Sequence, residues 1–371
     1  MGLLTLKNKI YCVTDKALND ALNQSKITSS ELSDLFLGRG IIISKQTKRE
    51  VLARNFSRIN HDYYDHQKIA SYLGSTTRRE RVTSKKIDNE ISTTQILDAA
   101  ELLKSKIENE GDLCQVYTGT DKVYISITYL SMDYGKSDFK QVVKKTANIE
   151  IEKNKSSLLI RRPDNEQLDK YEKTLLSHIE NIVSEITEHD IETTSSRLNI
   201  HEISLESIDD PKLRTLFFTS LINSLRGFVL DDVTDAYVYH PKPEKIEEED
   251  GDIDTGVHVS RASLKGEGIL KSEELSSLYD RGFYIWKVRW RSKEDLPDPD
   301  IYEFEAQFSN QYDFNGFSYA AKGIKKYKGH GEYNKNFISL SKPDENRICN
   351  IIENAAYSVI ININDLAQGK S

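Results

Sequence analysis

Lysines and arginines near the amino-terminal end of this 371-residue chain have the types and spacing that suit the binding of an anion. Lys45, Lys48 and Arg49 lie close together, and Arg54 and Arg58 follow at a spacing of four residues. This spacing places two side chains on one face of a helix. Cations beside the outward-pointing amides at a helix start form a site for phosphate. The pattern therefore indicates an anion-binding helix.

The surrounding stretch, SSELSDLFLGRGIIISKQTKREVLARNFSRI, covers residues 29–59 and predicts two short helices. Gly40 follows the first helix, where a positive φ lets the chain leave abruptly. We expect Ile41–Ile43 to pin an extended connector against both helices. Thr47 and Glu50 have the spacing of a capping box, so the second helix is predicted to begin with Thr47 as its N-cap.

This stretch resembles the SAP module, a helix-extended-helix motif found in many DNA- and RNA-binding proteins. The matching positions are Glu31-Leu32, Leu35, Arg39-Gly40-Ile41, Ser44 and Lys48-Arg49-Glu50-x-Leu52. The resemblance covers about thirty of the 371 residues, and its connector has isoleucines and Gln46 where proline or glycine is common. It implies nucleic-acid binding. The alternative is a helical hairpin that packs on the body or on a partner while its charges face water.

Two further basic regions extend the same prediction. FYIWKVRWRSK predicts a strand with Trp286, Val288 and Trp290 on one face. Lys287, Arg289 and Arg291 would lie on the opposite face. The strand is then either half-buried with its tryptophans in the core or a basic ridge that follows a phosphate backbone. A lysine-rich stretch with tyrosines and glycines, which suits either a single strand or a surface loop, follows near the carboxyl end. The candidate nucleic-acid-binding residues outside residues 29–59 are Arg78, Arg79, Arg81, Lys287, Arg289, Arg291, Lys325, Lys326 and Lys328.

Acidic residues on another predicted strand offer the alternative of catalysis. Glu303, Glu305 and Gln307 alternate along DPDIYEFEAQF and follow Asp300, loosely like the carboxylate strand of a metal-dependent nuclease. The lysine that usually accompanies such a nuclease motif is missing, and the upstream acid, Asp300, lies too close in sequence to Glu303. The sequence has no phosphate-binding glycine loop and no serine elbow. We therefore nominate no catalytic residue, no metal ligand and no cofactor.

Composition describes a globular protein with a basic end on an acidic body. The chain is 37% hydrophobic and 30% charged, with a net charge of −8. Residues 1–90 contain 16 Lys+Arg and 10 Asp+Glu, a local charge of +6, so the remainder carries −14. No apolar run is long enough to span a membrane, and the amino-terminal end lacks a secretory signal. The three widely spaced cysteines fit a reducing compartment, so we expect a cytoplasmic protein without membrane contact.

The order of predicted elements indicates an α+β fold with a largely antiparallel sheet. We predict a helical module over residues 1–108, α+β domains over 112–243 and 257–371, and an acidic linker or loop over 244–256. Two segments share the order strand, helix, arginine, glycine, strand, with the glycines at Gly227 and Gly282. Either a duplicated unit or the common use of glycine as a helix cap accounts for this likeness.

Together these patterns predict a non-enzymatic protein. We expect a DNA-binding sensor or adaptor that works with protein partner subunits in a larger bacterial complex, for example in antiviral defence against phage. One alternative is a protein-interaction scaffold that makes no nucleic-acid contact. The other is a nuclease that uses Glu303 and Glu305.

Overall fold

The computed structural model describes residues 13–73, 80–119, 122–135, 138–154, 156–187, 197–241 and 259–369, and these residues have an α+β fold, as predicted. The helices are α1 (Asp15–Leu22), α2 (Ser29–Leu37), α3 (Arg49–Phe56), α4 (Tyr63–Leu73), α5 (Thr93–Asn109), α6 (Glu166–Thr187), α7 (Pro211–Asn223), α8 (Glu273–Asp280) and α9 (Lys342–Ala367). The strands are β1 (Val82–Ile87), β2 (Leu113–Thr118), β3 (Lys122–Met132), β4 (Val142–Lys153), β5 (Leu158–Pro163), β6 (Ile200–Glu202), β7 (Phe228–Tyr239), β8 (Arg261–Lys265), β9 (Tyr284–Glu294), β10 (Ile301–Asn310), β11 (Asn315–Lys325), β12 (Tyr327–Gly329) and β13 (Glu332–Tyr333). Within these ranges, no helix has both the length and the apolar character needed to cross a membrane.

The chain divides into two compact units. The first contains Met1–Arg78, Ile96–Gly119 and Val123–Ile149, and the second contains Arg79–Gln95, Thr120–Lys122 and Glu150–Ser371.

Helices α1 to α4 of the first unit enclose their own apolar core. Leu22, Phe36 and Phe56 are buried in it, with the rings of Phe36 and Phe56 in edge-to-face contact at 5.0 Å. Helix α2 begins with a capping box in which Thr28 and Glu31 bond each other's backbone amides. These helices are short, so packing of their apolar faces supplies most of their stability.

The first unit also contains the β2–β3 hairpin. Side chains alternate along β3, where Val123, Ile125 and Ile127 are buried while the residues between them are partly exposed. On the opposite face, Tyr117 of β2 lies across from Tyr124 of β3, and their rings stack at 5.1 Å. This alternation is the pattern of a sheet that packs on one face only.

The second unit is built on an antiparallel sheet with the strand order β5-β1-β11-β10-β9-β7-β8, to which β6 adds beside β1. The sequence predicts mostly helix over residues 1–108, and this prediction is wrong for β1. Its sequence, VTSKKI, lacks an apolar alternation, and it becomes a strand because it pairs with β5 along its full length. Tertiary pairing therefore overrides a weak local signal here.

One face of this sheet packs against α7 and α9 around a core rich in aromatic residues. Val288 and Trp290 of β9 are fully buried in it, as the sequence predicted for this face, whereas Trp286 is only partly buried. Phe217 and Phe218 of α7 contact Phe308 of β10 at ring distances of 5.1 and 5.8 Å. Burial of one such side chain contributes roughly 1.5–3 kcal/mol.

The two segments with the shared strand-helix-glycine-strand order have this order in the structure. Gly227 and Gly282 adopt φ values of 78° and 82°, which other residues rarely tolerate. The strands before the two helices differ in pairing, since β6 pairs with β1 and β8 pairs with β7. The likeness is thus confined to the local order of elements and to the glycine caps.

A buried ion pair joins β5 to α9 in the core of the second unit. The guanidinium of Arg161 donates two hydrogen bonds to the carboxylate of Glu353, at 2.8 and 2.6 Å. Tyr319 of β11 donates its hydroxyl to the same carboxylate, and Asn350 accepts from the guanidinium. Burial lowers the pKa of Arg161, but Glu353 outweighs this effect and raises the pKa above its ordinary value. The guanidinium of Arg161 therefore stays protonated at physiological pH.

Replacing Glu353 with alanine should destabilise the protein by about 3–5 kcal/mol, because it leaves a buried guanidinium without a counter-charge. Urea unfolding at pH 7 measures this loss. Glu101→Ala, which removes the exposed pair with Lys104, is the matched control and should cost no more than about 1 kcal/mol. Similar losses for both variants would contradict the assignment.

Candidate nucleic-acid-binding surfaces

The predicted hairpin over residues 29–59 consists of α2, a tight glycine-containing turn, a short connector and α3. Gly40 adopts a φ of 73°, which confirms the predicted exit from the first helix. The Ile41 amide returns to the Phe36 carbonyl at 3.0 Å and closes the end of α2. The connector then enters a turn in which the Thr47 amide bonds the Ser44 carbonyl. We call residues 29–59 the hook.

Two local predictions for the hook were wrong. The N-cap of α3 is Lys48, not Thr47, so the capping box with Glu50 does not form. Among the connector isoleucines, only Ile43 packs on the helical core, whereas Ile41 and Ile42 are exposed. Successive side chains of an extended chain point to opposite sides, so three in a row cannot all face one core.

Two arginines of the hook hold the helices together. Arg49 donates to the carbonyls of Leu22 and Gln24 at the end of α1, at 3.0 and 3.2 Å. Such a position stabilises a cation, because these carbonyls form the negative end of the helix dipole. Arg39 forms an ion pair with Asp65 of α4. Arg49 was nominated for nucleic-acid binding, but its guanidinium anchors α3 to α1.

The other four nominated cations of the hook are exposed. The side chains of Lys45, Lys48, Arg54 and Arg58 have no hydrogen-bonding or ion-pair partner among the residues that the structure describes. Arg58 lies beyond the last residue of α3, so the predicted four-residue helical spacing with Arg54 does not apply. Residues 41–58 contain five cations and a single acidic residue, Glu50. The hook thus presents an excess of uncompensated positive charge.

The start of α3 adds to this positive potential. A side-chain oxygen caps the first turn of α1 and of α2, at Thr14 and Thr28 respectively. At α3 no side chain of the described residues makes such a bond, and Lys48 occupies the N-cap position. Uncapped amides carry the positive end of the helix dipole, which attracts anions. Lys45 and Lys48 precede these amides in sequence, and Glu50 is the one acidic residue of the first turn.

The nominated cations of β9 lie opposite Val288 and Trp290, as predicted, but they surround a carboxylate. Glu305 of β10 is 1% exposed. Its oxygens lie 3.3 Å from the ammonium of Lys287 and 3.1 Å from the guanidinium of Arg289. Burial alone would raise the pKa of Glu305, but Lys287 and the hydrogen bond from Arg289 lower it to about 2. Both cations serve as counter-ions of a buried charge.

Two more of the arginines predicted to bind nucleic acid also form ion pairs with acidic side chains. Arg81 lies 3.5 Å from Glu305 and 3.7 Å from Asp164. Arg291 lies 3.7 Å from Glu303, and its guanidinium packs over the ring of Phe337 at 5.4 Å. The basic ridge predicted on β9 is therefore largely neutralised by acidic side chains of the same unit.

The two glutamates of the nuclease hypothesis share this environment. Cations contact both Glu303 and Glu305, and a positive surrounding opposes the binding of a divalent metal ion. The described part of the chain contains no group of three histidine, cysteine or acidic residues placed to hold a metal. The arrangement is that of a structural ion-pair cluster.

The remaining nominated lysines follow β10 in sequence. Lys325 packs over the ring of Phe337 at 5.0 Å, and Lys326 pairs with Asp300 at 3.0 Å. Lys328 is exposed on β12. Arg78, Arg79 and the acidic segment 244–256 lie outside the described residues.

The sequence analysis missed His61, which braces the hook. Its Nε2 lies 2.7 Å from the Phe56 carbonyl at the end of α3, and its Nδ1 lies 3.6 Å from Asp65. Burial lowers the pKa of His61 below its ordinary value of 6.5. No spacing rule could have found this contact, because it depends on where the loop after α3 returns.

No known protein family matches this chain, and no curated protein shows a significant match to it.

Lowering the pH through 6.5 should destabilise the helices of the hook. With its pKa lowered in the folded state, His61 takes up a proton more readily when unfolded, so its contribution is complete above pH 6.5 and lost below it. Thermal unfolding at pH 7.5 and pH 5.5 measures the effect. His61→Gln should show a smaller loss between these pH values, and the loss that remains is expected from His66, whose pKa burial also lowers. An equal loss in wild type and His61→Gln would contradict this prediction.

Arg49→Ala should lower the free energy of unfolding by roughly 1.5–3 kcal/mol, because it removes charge-assisted hydrogen bonds to α1. The neighbouring Lys48→Ala is the matched control. As an exposed substitution without a lost contact, it should change stability by no more than about 0.5 kcal/mol. Urea unfolding of both variants measures the difference, and equal effects would refute the anchoring role of Arg49.

Proposed function

We propose that the protein is a nucleic-acid-binding adaptor that uses the hook to contact the phosphate backbone of DNA. The observation that carries this proposal is the state of four cations. Lys45, Lys48, Arg54 and Arg58 are exposed, and within the described ranges none has an acidic partner. Each can therefore neutralise a phosphate without breaking a contact in the protein, and counter-ion release then drives binding.

The rigidity of the hook supports the same proposal. Arg49 fixes α3 against α1, and the ion pair of Arg39 with Asp65 fixes the end of α2 against α4. The four cations thus project from a braced surface, which lowers the entropic cost of ordering them on a ligand. The uncapped start of α3, between Lys45 and Glu50, suits one phosphate group.

The cations of the second unit are a weaker basis for binding. Recruiting Lys287 or Arg289 to a phosphate would take a counter-ion from the buried Glu305. The same cluster disfavours the nuclease alternative. Protein partner subunits, a cytoplasmic location and a role in phage defence remain predictions of the sequence.

Replacing Lys45, Lys48, Arg54 and Arg58 together with alanine should abolish most DNA binding. We expect the wild-type affinity for a labelled 30-base-pair duplex to fall steeply with salt, since each contacted phosphate contributes about 0.9 to the slope of log K against log salt. The variant should lose up to about four such contacts. Fluorescence anisotropy over a salt series measures both quantities, with single-stranded DNA and duplex RNA as parallel ligands.

The matched control is a charge-equivalent variant of the second unit. The second unit also has exposed cations whose side chains form no hydrogen bond or ion pair with the described residues. Four of them are Lys212, Arg226, Lys271 and Lys335. Their joint replacement with alanine produces the same net charge and should leave most of the binding intact. Equal losses in the two variants would indicate only a non-specific charge effect. A wild-type protein that binds none of the three nucleic acids but co-purifies with a stable protein partner would favour the scaffold alternative.

A further inference from the structure

Three exposed apolar side chains lie beside the unpaired cations of the hook. Leu37, at the end of α2, is 62% exposed, and Ile41 and Ile42 of the connector are 39% and 90% exposed. We call these three residues the apolar tip. The other large apolar residues of α2 and α3, among them Phe36 and Phe56, are buried. The tip holds the most exposed apolar side chains of the hook, and this apolar surface in water costs free energy unless a ligand covers it.

The geometry of the turn brings the tip together. The amide of Ile41 bonds the carbonyl of Phe36, so the chain reverses within four residues and returns Ile41 beside the end of α2. The positive φ of Gly40 permits this reversal. Ile43 packs on the helical core, which directs the preceding Ile42 outward. The exposure of Ile42 is thus a consequence of a fixed backbone.

The charges around the tip define what can cover it. Lys45 and Lys48 follow Ile42 by three and six residues, and both lack an acidic partner in the part of the chain that the structure describes. A ligand that covers the tip must then offer an apolar cavity for branched aliphatic side chains directly beside negatively charged groups. Duplex DNA can do so where a base step is partly unstacked, because the opened step is an apolar gap between two rows of phosphates. Isoleucine and leucine are among the side chains that fill such gaps in other DNA-binding proteins.

From this combination we infer that the apolar tip inserts between stacked base pairs of duplex DNA while Lys45 and Lys48 hold the adjacent phosphates. This inference rests on the proposed function and makes it more specific, because it assigns duplex DNA as the ligand. Insertion partly unstacks one base step, and it bends and untwists the duplex. A single-stranded ligand has no such step to open.

A change in DNA linking number tests the inference without knowledge of a preferred sequence. Relaxed circular plasmid is incubated with the full chain and topoisomerase I, and the protein is then removed. Saturating wild-type protein should shift the topoisomer distribution towards negative supercoiling. The variant with Leu37→Ser and Ile42→Ser should produce no shift. Its plasmid affinity should change by less than about tenfold, because the cost of unstacking offsets the gain from insertion.

The matched control is Leu296→Ser, which removes a comparably exposed leucine, 64% exposed, from the second unit. It should shift the topoisomers as the wild type does. Circular dichroism establishes that the tip variant remains folded.

Each other outcome counts against the inference in an identifiable way. A wild-type protein that retards plasmid in a gel but leaves its linking number unchanged overturns insertion and leaves the proposed function intact. A tip variant that shifts topoisomers as strongly as wild type also overturns insertion. A wild-type protein that retards no plasmid at low salt overturns both proposals. Tip-dependent sedimentation with phosphatidylserine vesicles, together with no shift in topoisomers, would assign the tip to an anionic membrane surface instead.

Discussion

A charge buried in this fold is held by oppositely charged neighbours, and much of the second unit depends on one such contact. Arg161 and Glu353 form a bidentate pair in the core, where each would otherwise be costly to bury. The pair connects β5 to α9, and the hydroxyl of Tyr319 adds β11 to the same carboxylate. The two directional hydrogen bonds add a fixed geometry to the hydrophobic packing of these elements.

The same rule separates structural cations from available ones. Lys287 and Arg289 were attractive candidates for a phosphate-binding ridge, but they surround Glu305 and keep its buried charge compensated. In the hook, the guanidinium of Arg49 donates hydrogen bonds to carbonyls at the end of α1, while the side chain of its neighbour Lys48 is exposed. Two adjacent cations thus have different roles, and only the geometry of their contacts distinguishes them.

The hook combines three physical properties that rarely meet on a surface without a ligand. It carries cations without partners, an uncapped helix start, and apolar side chains held in water by a fixed turn. Each property alone has an ordinary explanation. Together they are the basis for proposing duplex DNA, a polyanion with apolar base faces, as the ligand of the hook.

The sequence by itself determined the elements whose signal is local. It predicted the α+β class, the glycine exit at Gly40 and the opposite faces of β9 for Val288 and Trp290, because side-chain periodicity and positive φ act over a few residues. It missed β1, misplaced the N-cap of α3 by one residue and placed Ile42 in a packed connector. Only the tertiary structure decided these points, and it also decided which cations are paired. The reason is physical: strand pairing and ion pairing join residues such as Arg161 and Glu353, which lie far apart in sequence and carry no mutual signal along the chain.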